Sequence, residues 1–231
     1  MVGVFIVLDG GDGSGKATQL GVLKKRLESE GYRVKTADFP QYGQWSAKFV
    51  EKYLRGEFGE LCDIGAKKAS LFYALDRFAA SFEMKKWLDE GYVLLSNRYT
   101  SANKGHQLGK LSSFAERQTF LNWINDLEYS TLELPVPDLT LYMHMSSDIG
   151  QRLVDKKEAR AYIDGKKRDL HEADLEHLKN AESAFLHCVK YDMVENWDRI
   201  QCYDGKNARC ISDIHDEVYV KVKQILDIAS N

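Results

Sequence analysis

Behind the apolar run Val4, Phe5, Ile6, Val7, Leu8 the chain turns abruptly small and polar, reading Gly10-Gly11-Asp12-Gly13-Ser14-Gly15-Lys16-Ala17-Thr18. No other stretch limits the fold as much. A short continuous apolar run predicts a strand buried on both faces. Glycines after it let the backbone curl until successive N–H groups point at one anion. Lys16 adds a mobile positive charge at an exposed helix start, whose own field has the same sign. Gly10 to Lys16 matches G-x-x-x-x-G-K in the strand-then-helix context that gives this pattern meaning, so a phosphate chain is the expected ligand. The plainer reading is a glycine-rich turn with no ligand. Ala17 stands where the strict pattern asks for Ser or Thr, and Thr18 follows one place later. The hydroxyl that commonly holds Mg²⁺ beside phosphates is therefore absent from its usual position.

Bulk properties narrow the ligand class. The 231 residues, 44% hydrophobic, suffice for one α/β core and are read as a single domain over 1–231. A net charge of −3 argues against a life on bulk nucleic acid or anionic membrane, so the phosphate chemistry should involve small molecules. The four cysteines (Cys62, Cys188, Cys202, Cys210) lack metal-binding spacing, which predicts reduced thiols and a cytoplasmic protein. The N-terminal apolar stretch is too short for a membrane span or a signal peptide.

Strand-like runs at Phe5–Leu8, Val34–Ala37, Val93–Ser96, Leu139–His144 and Arg199–Tyr203 alternate with helical patterns. The helices are expected at about Lys16–Glu30, Ser46–Leu54, Lys67–Asp89, Ser112–Glu128, Ser146–Lys156, Glu172–Tyr191 and Ser212–Ile228. Such alternation predicts β-α-β crossovers: an α/β fold with a P-loop NTPase-type parallel sheet of about five strands, flanked by helices. Ligands gather at the carboxyl ends of such strands. Asp12, Phe39–Gln41 and Asn97–Tyr99 each follow a strand and should share one rim. Residues 155–171 differ in kind. Lys156, Lys157, Arg160, Lys166, Lys167 and Arg168 surround Gly165 with few large apolar residues, so the segment cannot bury a face. A solvated charge run is the plain reading, and a basic lid over a nucleotide is the functional one.

Three clusters offer a second ligand site. Tyr73 and Arg77, four apart in Leu71-Phe72-Tyr73-Ala74-Leu75-Asp76-Arg77, share a helix face where an aromatic plane and a guanidinium fork meet one flat anion. Ser96-Asn97-Arg98-Tyr99 ends a strand, followed by polar Asn103, His106 and Gln107, and Phe39-Pro40-Gln41-Tyr42 ends another. Each also has an innocent reading: Phe72 and Tyr73 as core aromatics, Arg77 as a surface ion-pair partner, Arg98-Tyr99 as an ordinary strand end.

Taken in order with the phosphate loop, these motifs resemble the thymidylate (dTMP) kinase family over nearly the whole chain. The resemblance rests on Phe5-Ile6-Val7-Leu8-Asp9-Gly10 through Thr18, on Phe39-Pro40, on Tyr73 to Arg77, on Asn97-Arg98-Tyr99, and on Pro135-Val136-Pro137-Asp138-Leu139. It implies ATP bound through Gly10, Gly13, Ser14, Gly15, Lys16, Ala17 and Thr18, with Mg²⁺ as cofactor and Asp12 as its ligand. It implies dTMP beside Asp12, Phe39, Pro40, Phe72, Tyr73, Arg77, Arg98, Asn103 and His106. Lys16, Asp12, Arg98 and the lid residue Arg160 are the implied catalytic set. Asn103 is expected to offer thymine both a donor and an acceptor, and a homodimer through helices beside the sheet is expected. The chain departs from the family pattern at Ala17, at Asn97 for aspartate, at Tyr42 for a common arginine, and at His106 for the tyrosine that crowds a ribose 2′-hydroxyl. A deoxynucleoside kinase needs a carboxylate base, which Asn97 has lost. A P-loop module that holds nucleotide without turnover is the alternative from another class.

Overall fold

The computed structural model describes residues 3–59, 61–154 and 175–229, without the side chains of 61, 62 and 175. The expected lid at 155–171, with Lys157, Arg160 and Arg168, lies outside the described residues. Among those described, β1 (Val4–Asp9), β2 (Val34–Asp38), β3 (Val93–Asn97), β4 (Leu139–His144) and β5 (Trp197–Gln201) form one sheet in the order β2-β3-β1-β4-β5. Every pairing is parallel, which is the sheet the alternation predicts. Leu8 pairs with Asn97, and Asn97 with Asp38, so β1, β3 and β2 end level and their following loops share one rim.

Side chains alternate across the sheet as the pleat requires. Ile6 and Leu8 point to one face, against Leu23 and Leu27 of α1 (Lys16–Ser29). Phe5 and Val7 point to the other, with Phe39, Leu94 and Tyr99. Met84 joins them from the helix α3 (Leu61–Asp89), which is broken at Gly65. The short α2 (Lys48–Leu54) lies before α3, and α5 (Phe114–Asn125) runs into a π-helical turn, Asp126–Thr131. The remaining helices are α6 (Ser147–Val154), α7 (Leu175–Tyr191) and α8 (Ile211–Ala229).

Two differences from the sequence reading matter. β5 starts at Trp197, two residues before the expected Arg199, because it is an edge strand in which Ile200 alone is buried. The polar stretch after β3, expected only as a rim segment, is a helix, α4 (Thr100–Leu108), with Thr100, Ser101, Asn103, Lys104 and Gln107 all buried. No helix among the described residues is long and apolar enough to cross a membrane.

Candidate active site

The phosphate loop leaves β1 and enters α1 through Gly15, whose φ of 88° is left-handed. α1 has no side-chain cap and no acidic residue in its first turn, so its leading N–H groups are left for an anion. Lys16 is not exposed as expected. Only 6% of it is accessible, and its Nζ folds back to donate to Gly10 O and Gly11 O, both at 2.8 Å. Ser14 Oγ is buried without a hydrogen-bond partner, whereas Ala17 and Thr18 lie exposed on the outer side of α1. Gly13 has a φ of 79°, and a Cβ there would stand 2.3 Å from Gly150 O of α6.

Beside the loop lies a pocket with about 520 Å³ of free space, counting its open mouth. Asp12, Phe39, Pro40, Tyr73, Arg77, Arg98, Asn103 and His106 all line it, together with Tyr42, Leu54, Ala102 and Gln107. Phe72 does not. It stacks on Phe49 with centroids 5.7 Å apart and packs near Tyr53 and Phe58, so its plainer reading as a core aromatic describes it. Tyr73 stands edge-on to Tyr53 at 6.2 Å, which leaves a ring in the pocket wall.

Arg98 carries the pocket's strained backbone. Its φ of 62° costs a residue with a Cβ roughly 1 kcal/mol or more. The strain aims the guanidinium at the loop, where it is paired with the Asp12 carboxylate. Burial works against the charge, but Asp12 and then Asp9 raise the Arg98 pKa further, so it stays cationic. Asp9 is fully buried beneath. Burial raises its pKa, while Lys16, Arg98, Ser101 Oγ at 2.5 Å and Gly10 N at 2.7 Å pull the other way.

Arg77 is an ion-pair partner, but in the interior rather than on the surface. Its Nε and Nη2 donate to Glu128 Oε2 and Oε1, both at 2.6 Å, and both residues are buried. Glu128 sits on the π-helical turn and also accepts from Asn103 Nδ2 at 2.9 Å. Asn103 is thereby corrected: its hydrogens go to Glu128 and Ser70 O, so only its acceptor, Oδ1, is left without a partner. His106 is held between His177 (5.7 Å, stacked) and Phe185 (5.8 Å, edge-on), and burial pushes its pKa down to about 3, so it is neutral.

Behind α4 lies a second buried cluster that the sequence reading missed. Lys104 pairs with Asp192 and Glu195, all buried. Glu195 also accepts from Thr100 Oγ1 and Tyr129 OH at 2.6 Å and from Thr140 Oγ1 at 2.7 Å. The cluster ties α4, which carries Asn103 and His106, to β4, to the loop before β5 and to the turn that carries Glu128. The Thr100–Lys104 spacing of one helical turn is the signal that reading α4 as a helix would have exposed.

The described residues do not make a protein-held Mg²⁺ site. Asp12, the expected ligand, is paired with Arg98 and lies 4.0 Å from Lys16 Nζ, so a divalent ion there would face two cations. Both Asp9 oxygens are already hydrogen-bonded, and Ala17 offers none. Among the described residues no three His, Cys, Asp or Glu side chains gather as a metal site would require.

A parallel sheet whose first strand ends in a phosphate loop, with a second pocket at the same rim, defines a P-loop α/β protein. A family model described as thymidylate kinase matches residues 8–193. The thymidylate kinase of Mycobacterium tuberculosis H37Rv is 32% identical over 176 residues, covering 75% of this chain and 79% of that one. That of Halothermothrix orenii is 29% identical over 228 residues, covering 98% and 99%. A solved thymidylate kinase structure from Candida albicans, 21% identical, has the same fold with a TM-score of 0.70, covering 96% of this chain and 92% of that one. The chain belongs to the thymidylate kinase family, and it is a kinase.

Proposed function

We propose that this kinase moves the γ-phosphoryl group of ATP to dTMP, giving ADP and dTDP on the route to dTTP. The observation that carries the reading is the placement of Arg98 between the phosphate loop and a pocket whose wall includes an aromatic ring, Tyr73, and a residue with an unpartnered acceptor, Asn103. The loop amides and Lys16 hold the donor phosphates. Arg98 exchanges Asp12 for the acceptor phosphate and draws two anions together, leaving Asp12 to the sugar hydroxyl. The acceptor oxygen is already anionic at neutral pH, so alignment and charge screening are the whole task and no general base is required. Arg160, in the segment 155–171 proposed as a lid, is the proposed further cation. A Mg²⁺ that accompanies ATP would rest on phosphate oxygens and water, as this ion commonly does, rather than on these side chains.

A coupled assay for ADP release tests the reading. Release should require dTMP. Release with thymidine but not with dTMP would indicate a nucleoside kinase, and nucleotide binding without release would indicate a module that does not turn over.

We further propose a homodimer through α3. Leu71, Leu75, Phe78 and Phe82 recur at helical spacing on one face and are 42%, 52%, 36% and 65% exposed. A stripe of that kind is what a second copy would cover. Sedimentation should give a dimer for the wild type and a monomer for Leu75→Glu/Phe82→Glu. An unchanged dimer in that variant rules the stripe out. A cytoplasmic location fits the nucleotide substrates and the free thiols of Cys188, Cys202 and Cys210.

A further inference from the structure

An asparagine in a binding pocket ordinarily reads either way, because half a turn about its last torsion exchanges donor for acceptor. Asn103 has lost that freedom. Its Nδ2 donates to Ser70 O at 3.1 Å and to Glu128 Oε1 at 2.9 Å, which uses both hydrogens. Its Oδ1 is buried and has no hydrogen-bond partner. Turning the amide over would set that oxygen against a carboxylate and a carbonyl, three acceptors facing one another with no donor between them in a dry site. The carboxylate cannot retreat either, since Arg77 grips both its oxygens at 2.6 Å. Tyr129, the next residue on the π-helical turn, is anchored in turn to Glu195.

We infer that Glu128 is a specificity-determining residue that acts through Asn103. By fixing the amide it makes the pocket accept a hydrogen bond, and never donate one, at that point. The base edge this suits is a ring N–H beside a carbonyl, with Arg77 Nη1, outside the carboxylate pair, as donor to the carbonyl. Thymine presents that edge. Cytosine presents the reverse, a bare ring nitrogen beside an amino group, and would meet Oδ1 with a second acceptor. The inference rests on the proposed dTMP reading and adds that Glu128, which need not touch the base, sets the choice of base.

The test compares kcat/KM for dTMP and for 5-methyl-dCMP, which differ only along that edge, using the full chain. The wild type should favour dTMP by at least about a hundredfold, the scale of loss when a built polar site meets the wrong partner. Glu128→Gln replaces the acceptor by an amide that can accept or donate, so the ratio should fall at least tenfold, mainly through KM for the acceptor, with KM for ATP unmoved. Glutamine takes away the carboxylate that Arg77 pairs with. Glu128→Asp, which keeps the charge but draws the acceptor back by one methylene, is measured beside it and should show the same fall. A merely structural glutamate would weaken both substrates alike. A folded variant that keeps the wild-type ratio overturns the inference, and so does a wild-type ratio below about five. Failure of the underlying reading shows differently: the wild type then releases ADP with neither nucleotide, and the inference falls with it.

Discussion

Replacing Lys104 by methionine is expected to lower the melting temperature by roughly 6 to 20 °C. Removing one partner of a buried ion pair commonly costs about 3–5 kcal/mol, and each kcal/mol moves the midpoint of a domain of this size by about 2–4 °C. The site gives reason to expect the full figure. One ammonium there serves two carboxylates, and both are buried. Burial pushes the Asp192 pKa up, but Lys104 and the hydrogen bonds from Lys104, Trp197 Nε1 and Val194 N hold it below the ordinary carboxylate value. With methionine in place, one carboxylate must take up a proton to remain inside. Its folded pKa then lies above its unfolded one, so the variant recovers stability as pH falls towards the unfolded value and loses it as pH rises. Melting curves at pH 7.5 and pH 5 should therefore show a smaller deficit at the lower pH. The triple change Lys104→Met/Asp192→Asn/Glu195→Gln, which leaves no lone charge, should regain much of the loss. A Lys104→Met protein that melts within about a degree of the wild type would remove the cluster from the account of how α4 is held.

Lys16→Ala should slow turnover by on the order of a hundredfold or more while the protein still folds. A positioned donor aimed at charge that develops in a closed site is worth about that much. The fold should tolerate the change because Lys16 Nζ meets the loop carbonyls Gly10 O and Gly11 O and the neighbouring Asp12, none of them in the apolar core. Arginine should not rescue the rate, since a planar fork replaces a compact ammonium in a loop shaped around the latter. The measurement is kcat at saturating ATP and dTMP, with a melting curve to certify the fold. Near-normal kcat in a folded Lys16→Ala protein would end the donor-site assignment.

Both variants bear on what could be read in advance. The sheet was legible because parallel strands covered on both faces are written as largely apolar runs, and Val4 to Leu8 and, with Thr140 as its polar member, Leu139 to Met143 are such runs. The rim was legible because loops that follow level strands must meet. α4 was not, because Thr-Ser-Ala-Asn-Lys-Gly-His-Gln carries no apolar period. Its interior face is polar, held by ion pairs and hydrogen bonds whose partners lie up to 95 residues away. The partnership of Arg77 with Glu128 spans 51 residues and was equally out of reach of local spacing. The burial of Lys16 followed from side-chain folding onto the loop's own carbonyls, which a motif cannot announce.

The meeting of the phosphate loop with α6 restricts what mutation can reach. A Cβ at Gly13 would stand 2.3 Å from Gly150 O, and a Cβ at Gly150 would stand 2.4 Å from Asp12 O. The two glycines guard one spot from opposite sides, with backbone rather than yielding side chain as the obstacle in each case. A library that randomises either position alone is therefore closed to larger residues. An arginine at Gly13 is not one substitution away from this protein. It lies behind a displacement of α6, so the two positions must drift as a pair or stay as they are.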